Sequence, residues 1–144
     1  MATSIELEGL CATYEEALTN LLQGYRSRAV HAPAGPALAK HLPPILAAPT
    51  TDDIAWFIEA LRHPQRRWFV AGGLEMATAI HEKLVEPVME AAMESGAVSC
   101  GDFVRPCVRV FSYARVSRYL TELAEHGTDT QKTCARCAFY EAHV

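Results

Sequence analysis

The 144-residue chain lacks both a long apolar run and a recognisable catalytic motif. Its apolar stretches are much shorter than the about 18 residues that a membrane-spanning helix requires, so we predict no membrane contact. It contains no G-x-S-x-G turn, HExxH zinc helix, P-loop or glycine-rich dinucleotide motif. The sequence therefore predicts a protein that has no catalytic activity of its own, no catalytic residues and no cofactor.

Strong net charge and a cysteine framework are also missing. Lys and Arg number 13 against 17 Asp and Glu, and this formal charge of −4 argues against a general nucleic-acid coat. The first residues, MATSIELEGL, carry glutamates where a secretory signal needs a basic flank and an apolar stretch. Five cysteines, an odd number without a tight framework, are typical of reduced thiols. We therefore expect a cytoplasmic protein.

Half of the residues are apolar and 21 % are charged, which is typical of a globular chain with a substantial core. The prolines divide this chain, since five of the eight lie between residues 30 and 50. Before them, apolar residues recur at three- and four-residue steps, as on one face of an amphipathic helix. We predict a single helical domain made of an N-terminal helix over 1–28, a proline-rich connector over 29–50 and helix pairs over 51–144.

Local signals place the ends of several helices. Capping boxes are predicted at three starts, and their residue pairs are Thr3 with Glu6, Thr50 with Asp53, and Thr128 with Gln131. The connector is expected to hold one short helix around residues 37–41. His63-Pro64 predicts a break, with Pro64 in the first turn of a helix that carries residues 68–80.

Further along the chain, Pro87 predicts the start of another helix, which ends near Ser95-Gly96. Ser99 and Asp102 predict the next start, and Pro106 then requires either a start near Asp102 or a bend. A further helix is expected over 114–125. No segment shows sustained strand alternation, so the sequence predicts an all-α fold.

Three of the predicted helices share a weak pattern of small or apolar residues at two, three, six and seven positions after their first residue. The copies begin at Arg67, Val104 and Lys132, and each follows another helix and a short turn. A helix pair of this kind cannot bury its apolar face alone, so neighbouring pairs must stack.

The segments LRHPQRRWFVAGGL and LAEHGTDTQKTCARCAF, residues 61–74 and 123–139, resemble HEAT-type repeats. In that family a leucine-bearing helix, a short polar turn and a helix with a basic, small and apolar pattern recur. The resemblance covers residues 50–143 and implies a short HEAT-like α-solenoid whose second helices line a partner-binding surface. The same periodicity is satisfied by an irregular helical bundle, which stays open as the alternative fold.

Charge is segregated along the chain, with acidic residues concentrated in 1–25 and 75–102. The basic residues form i, i+4 pairs on helices that the repeat pattern makes equivalent, which predicts a basic stripe for an acidic segment of another protein. These residues equally suit salt bridges between repeats or a solvated face. The residues predicted to bind a partner are Arg66, Arg67, Trp68, Arg105, Arg109, Lys132 and Arg136.

A nucleic acid is the alternative ligand for the same stripe, because a HEAT-like DNA glycosylase also displays a basic concave surface. No base-flipping or acidic catalytic residue can be assigned in this sequence. A protein-binding scaffold is therefore the first hypothesis, and nucleic-acid binding or processing is the second.

The segment KTCARCAFYEAH, residues 132–143, raises a third hypothesis of a zinc- or thiol-dependent protein that uses Cys134 and Cys137. Structural zinc needs four ligands, and CxxC pairs normally lie in a tight turn. Here the pair lies within a predicted helix, and the chain has no second close pair. We predict that Cys134 fills a buried space between helices and that no metal is bound.

Overall fold

The computed structural model describes residues 4–26, 40–96 and 99–143, and within these ranges the ordered elements are helices without a strand. The prediction of an all-α fold is therefore confirmed. The chain divides into two compact units, Met1–Ala77 and Thr78–Val144. The single domain over 1–144 stays a prediction, and each unit is described by itself.

The first unit contains helices α1 (Ser4–Arg26), α2 (Leu42–Ala47), α3 (Thr51–Arg62) and α4 (Arg66–Met76). Helix α1 packs against both α3 and α4, while α2 packs against α4. Helix α1 lies within the range 1–28 predicted for the N-terminal helix, and residues 1–3 and 27–28 of that range are outside the described residues. Its predicted capping box cannot be compared with the structure because Thr3 lies outside the described residues.

The connector contains a short helix, α2, and most of the range 37–41, where the sequence predicted one, lies outside the described residues. Residues 37–39 are outside the described part of the chain, Lys40 and His41 form a turn, and α2 begins at Leu42. Pro43 and Pro44 lie in its first turn, where a helix has no intrahelical partner for the missing backbone N–H groups. The prolines therefore start this helix instead of preventing it.

Aromatic side chains form the core that joins α1 to α3 and α4. The ring centroids of Tyr14 and Phe69 are 5.1 Å apart, and those of Trp56 and Phe69 are 6.4 Å apart in an edge-to-face arrangement. Leu7 and Cys11 of α1 are fully buried in the same unit. Because aromatic pairs add to the gain from apolar burial, this cluster fixes α1 on the rest of the unit.

The boundaries of α3 follow the predicted local signals. Thr50 Oγ1 accepts a hydrogen bond from the Asp53 backbone N–H at 3.1 Å, and Asp53 Oδ2 accepts from the Thr50 N–H at 2.9 Å. The helix ends at Arg62, immediately before the predicted break. Helix α4 then begins at Arg66, two residues later than Pro64 suggested, and it ends at Met76 instead of residue 80.

The second unit contains a 3₁₀ turn (Glu82–Leu84), α5 (Val85–Ser95), α6 (Gly101–Phe111), α7 (Tyr113–His126) and α8 (Asp129–His143). Helix α6 contacts α5, α7 and α8, and the neighbouring helices α7 and α8 share the most extensive contact of the unit. The core of this unit therefore lies around α6.

The predicted ends of these helices are partly correct. The capping box of Thr128 and Gln131 is present, with hydrogen bonds of 2.9 and 3.1 Å. Gly96 ends α5 with φ of +92°, a conformation that favours glycine. Helix α5 begins at Val85 instead of Pro87, because the preceding 3₁₀ turn leads directly into it.

Helix α6 begins at Gly101, one residue before the predicted Asp102, and continues as one helix through Pro106. Its first residue lies against the end of α8, since a Cβ added to Gly101 would be 2.7 Å from Glu141 Oε2. In a stack of parallel second helices, like ends would lie side by side. This contact joins the start of α6 to the end of α8, which are unlike ends. The HEAT-like solenoid and the irregular bundle both stay predictions.

Candidate functional site

The predicted basic residues of the first unit are engaged within the unit itself. Arg66 donates to both carboxylate oxygens of Glu8, at 3.0 Å each, and its Nε lies 3.2 Å from Glu15 Oε1. The hydrogen bond from Trp56 and then that from Arg66 hold the pKa of the Glu8 carboxyl below its usual range. Arg66 therefore connects α4 to α1.

Arg67 is buried, with 7 % of its surface exposed. Its Nε donates to the His63 carbonyl at 3.1 Å and its Nη2 to the Arg62 carbonyl at 3.3 Å, so it satisfies acceptors at the end of α3. We therefore assign Arg67 a structural role. The neighbouring Trp68 is half-buried, and its predicted part as an anchor for a partner stays a prediction.

The predicted basic residues of the second unit differ in their surroundings. Arg105 pairs with Glu141 of α8 and, at 3.3 Å, with Asp102 of its own helix. Arg109 and Arg136 are exposed, and Lys132 is half-buried. Binding of an acidic segment at these side chains stays a prediction, as does a continuous basic stripe along the chain.

The cysteines of the CxxC segment lie within α8, as the sequence predicted. Cys134 is buried and Cys137 is half-buried. Burial, followed by Glu141 and the thiols of Cys137 and Cys134, raises the pKa of Cys100 to about 11, which shows that a third thiol lies near the pair. Burial also raises the pKa of Cys134. The thiols of Cys100 and Cys134 therefore stay protonated and poorly nucleophilic near neutral pH.

Metal binding finds no support in the described part of the chain. Within those ranges no group of three or more His, Cys, Asp and Glu side chains could hold a metal ion. The described helices also include none that is long and apolar enough to cross a membrane.

The described part of the first unit has an open groove of about 620 Å³ between α1 and α3, which we call the α1–α3 groove. Helix α1 contributes one stripe with i, i+3, i+4 and i+7 spacing, and α3 contributes a second with the same spacing. The stripe of α1 consists of Ile5, Glu8, Gly9 and Ala12. The stripe of α3 consists of Asp52, Ala55, Trp56 and Glu59.

Small side chains leave the floor of the α1–α3 groove open. A Cβ added to Gly9 would meet no atom within 4 Å, and Ala12 and Ala55 are both exposed. Ile5, at 83 % exposure, is a large apolar side chain without cover beside this floor. Glycine weakens a helix interior relative to alanine. The described packing gives no reason for a glycine at position 9, because a Cβ there would contact no other atom.

Glu8 holds the Trp56 side chain, which forms one wall of the groove. Trp56 Nε1 donates to Glu8 Oε2 at 2.7 Å, and Arg66 donates to both oxygens of the same carboxylate. Trp56 is 8 % exposed and forms part of the core as well as of the groove. Its ring is therefore held in place by the core before any ligand arrives.

The groove continues into a second hollow of about 520 Å³, which shares Glu8, Trp56 and Glu59. This hollow extends to Arg62 and His63 at the end of α3. The charge along α3 therefore changes from acidic at Asp52 and Glu59 to basic at its end.

Sequence reasoning did not find this site. The groove exists because α1 packs against α3, and the two helices are separated by the connector. The one local signal was Gly9, a glycine within a strongly helical pattern. A search for small residues next to the apolar stripe of α1 would have detected it.

No protein-family model, curated protein or solved structure matches this chain.

Proposed function

We propose that the protein is a non-catalytic module that binds another protein, and that the α1–α3 groove is its binding site. The observation that carries the proposal is the pairing of two helix stripes around an open floor, with small and apolar residues at Ile5, Gly9, Ala12, Ala55 and Trp56. Two adjacent helices with this spacing form the surface on which a third helix packs, ridges into grooves.

The chemistry of the groove supports a protein ligand. Covering a large aliphatic side chain such as Ile5 contributes about 1.5–3 kcal/mol, so an apolar helix face gains affinity there. Trp56 supplies an aromatic wall held by its hydrogen bond to Glu8, which reduces the entropic cost of binding.

The basic residues that the sequence predicted to bind a partner give weaker support for a binding site. Arg66, Arg67 and Arg105 already bond to other groups of the chain. Binding of an acidic protein segment at Arg109, Lys132 and Arg136, or of a nucleic acid at the same residues, remains a separate proposal. Affinity for a short DNA or RNA that falls steeply with added salt would favour the nucleic acid.

Site-specific crosslinking in the native host tests the groove. A small diazirine-bearing amino acid at Ala12 lies on the groove floor, whereas the same group at Thr13 is exposed outside the groove lining. We expect light to produce one dominant protein adduct from position 12 that is absent from position 13. Mass spectrometry of the adduct identifies the partner and the crosslinked peptide.

The adjacent position controls for expression, folding and random collision. Identical adducts from both positions, or none from position 12 in cells in which the protein is abundant, would contradict binding in the groove.

A further inference from the structure

We infer that the α1–α3 groove takes an amphipathic α-helix of about three turns, oriented antiparallel to α3, with acidic residues in its first turn and Lys or Arg in its last. This inference rests on the proposed function and adds to it the class, length and direction of the partner segment.

The length follows from α3. The α1–α3 groove and the hollow that continues it together run from Asp52 to Arg62, two charged residues ten positions apart on α3. At about 1.5 Å per residue they are separated by roughly 15 Å, which is the length of about three helical turns. A longer helix would extend past the walls, and a shorter one would leave one charged end without a partner.

The charge pattern follows from the groove walls. Near the start of α3, Asp52 is exposed, and Glu59 is exposed further along the same wall. Arg62 and His63 are exposed at the other end, where Glu8 and Arg66 also line the hollow but pair with each other. Basic side chains of the ligand therefore suit the end at Asp52, and acidic ones suit the end at Arg62.

His63 adds a hydrogen-bond donor at this basic end. Its Nδ1 accepts from the backbone N–H groups of Gln65 and Arg66, at 3.1 Å each. In the neutral ring the proton is then on Nε2, which suits an acceptor such as a carboxylate.

The direction follows from the helix dipole. An isolated helix of three turns is marginal in water, so the ligand needs charges that favour its helical state. Acidic residues stabilise a helix at its N-terminus and basic residues at its C-terminus. Only one orientation combines this rule with the groove charges: the N-terminus of the ligand lies near Arg62 and its C-terminus near Asp52, antiparallel to α3.

The contact face of the ligand follows from the floor. Gly9, Ala12 and Ala55 let the ligand backbone approach closely, and Ile5 covers its apolar side chains from one side. The ligand therefore needs its own apolar stripe with i, i+3, i+4 and i+7 spacing.

A displayed library of peptides of about four turns, randomised at every position, tests the inference with the purified full chain as target. We expect the selected peptides to share the apolar stripe, with Asp or Glu at the N-terminal end and Lys or Arg at the C-terminal end. Binders with the opposite charge order, or with no charge order, would overturn the inference.

Paramagnetic labelling then measures the direction. A nitroxide at the N-terminus of a selected peptide should broaden the amide signals of residues 62–63 most strongly, and a C-terminal nitroxide should broaden that of residue 52. The reverse pattern would show a parallel ligand and would also overturn the inference.

A groove-filling substitution separates this failure from failure of the proposed function. Ala55→Leu adds volume to the floor, and we expect it to weaken every selected peptide by at least about tenfold. Thr51→Leu, an exposed position of α3 outside the groove lining, should leave the affinity unchanged.

Selected peptides whose affinity is unchanged by Ala55→Leu would overturn the proposed function itself. A selection that yields no more binders than one against an unrelated helical protein would do the same. Self-association of the purified chain that Ala55→Leu abolishes would show a second copy in the groove, and this result would replace the partner helix.

Discussion

Glu8 connects the α1–α3 groove to the core of its unit. One carboxylate receives hydrogen bonds from the Trp56 ring and from Arg66, so it positions a groove wall and joins α1 to α4 in the same contact. Arg66 also reaches Glu15, which accepts from the Cys11 thiol at 3.5 Å. Burial, followed by Glu15, raises the pKa of Cys11 to about 12, so this thiol stays neutral.

Replacement of Glu8 should remove a pH-dependent contribution to the free energy of unfolding. The folded-state pKa of Glu8 is lowered, so its contribution is present above the unfolded pKa and is lost as pH falls through the folded one. We expect Glu8→Gln to lower the free energy of unfolding by about 1 kcal/mol near pH 6, a value discounted for the exposure of the pair. Denaturant unfolding at several pH values measures this difference.

As the pH falls through the lowered folded-state pKa of Glu8, the difference between the two proteins should shrink, since the wild-type carboxyl becomes protonated. Glu16→Gln, at an exposed position of the same helix, is the matched control and should show little change. A destabilisation by Glu8→Gln that stays constant down to pH 2 would contradict the ionic role of Glu8.

Arg67 shows why residue roles are hard to read from sequence. It follows Arg66 directly and looked like a member of a basic surface, yet it is buried against the carbonyls that end α3. A sequence pattern gives the face of a helix only approximately, and the guanidinium suits solvent and backbone acceptors equally well. The structure was needed to assign it to the interior.

At the scale of elements, the sequence predicted where a helix begins if its first residues form reciprocal side-chain caps. Thr50 with Asp53 and Thr128 with Gln131 lie three residues apart, and each pair forms both hydrogen bonds of a capping box. These signals are local, so packing does not change them. The start of α5 and the end of α4 lack such caps, and their predicted positions were two and four residues from the observed ones.

Loss of the cap of α3 has an expected cost. Thr50→Ala removes the acceptor for the Asp53 N–H, and we expect it to lower the free energy of unfolding by about 1 kcal/mol. Thr51→Ala changes the same residue type at the next, exposed position and should have a much smaller effect. Thermal and denaturant unfolding compare the two variants, and equal losses would contradict a capping role for Thr50.

At the scale of the whole molecule, helix content was predictable and helix packing was not. Periodicity and proline positions gave an all-α chain, but they do not say which faces meet. The contact of α1 with α3, which creates the groove, joins elements far apart in sequence. The meeting of the start of α6 with the end of α8 likewise follows from side-chain shape, including the small Gly101, and not from the repeat pattern.

The most direct test of the central claim compares two substitutions of Gly9 for binding to the protein that position 12 captures. Space around Gly9 is open, so Gly9→Ala should improve the helix by about 0.5–1 kcal/mol and leave the groove accessible. Gly9→Leu should fold equally well but fill the floor. Isothermal titration calorimetry should show that the alanine variant retains its affinity and the leucine variant loses at least about tenfold. Full affinity in the leucine variant would contradict partner binding in the α1–α3 groove.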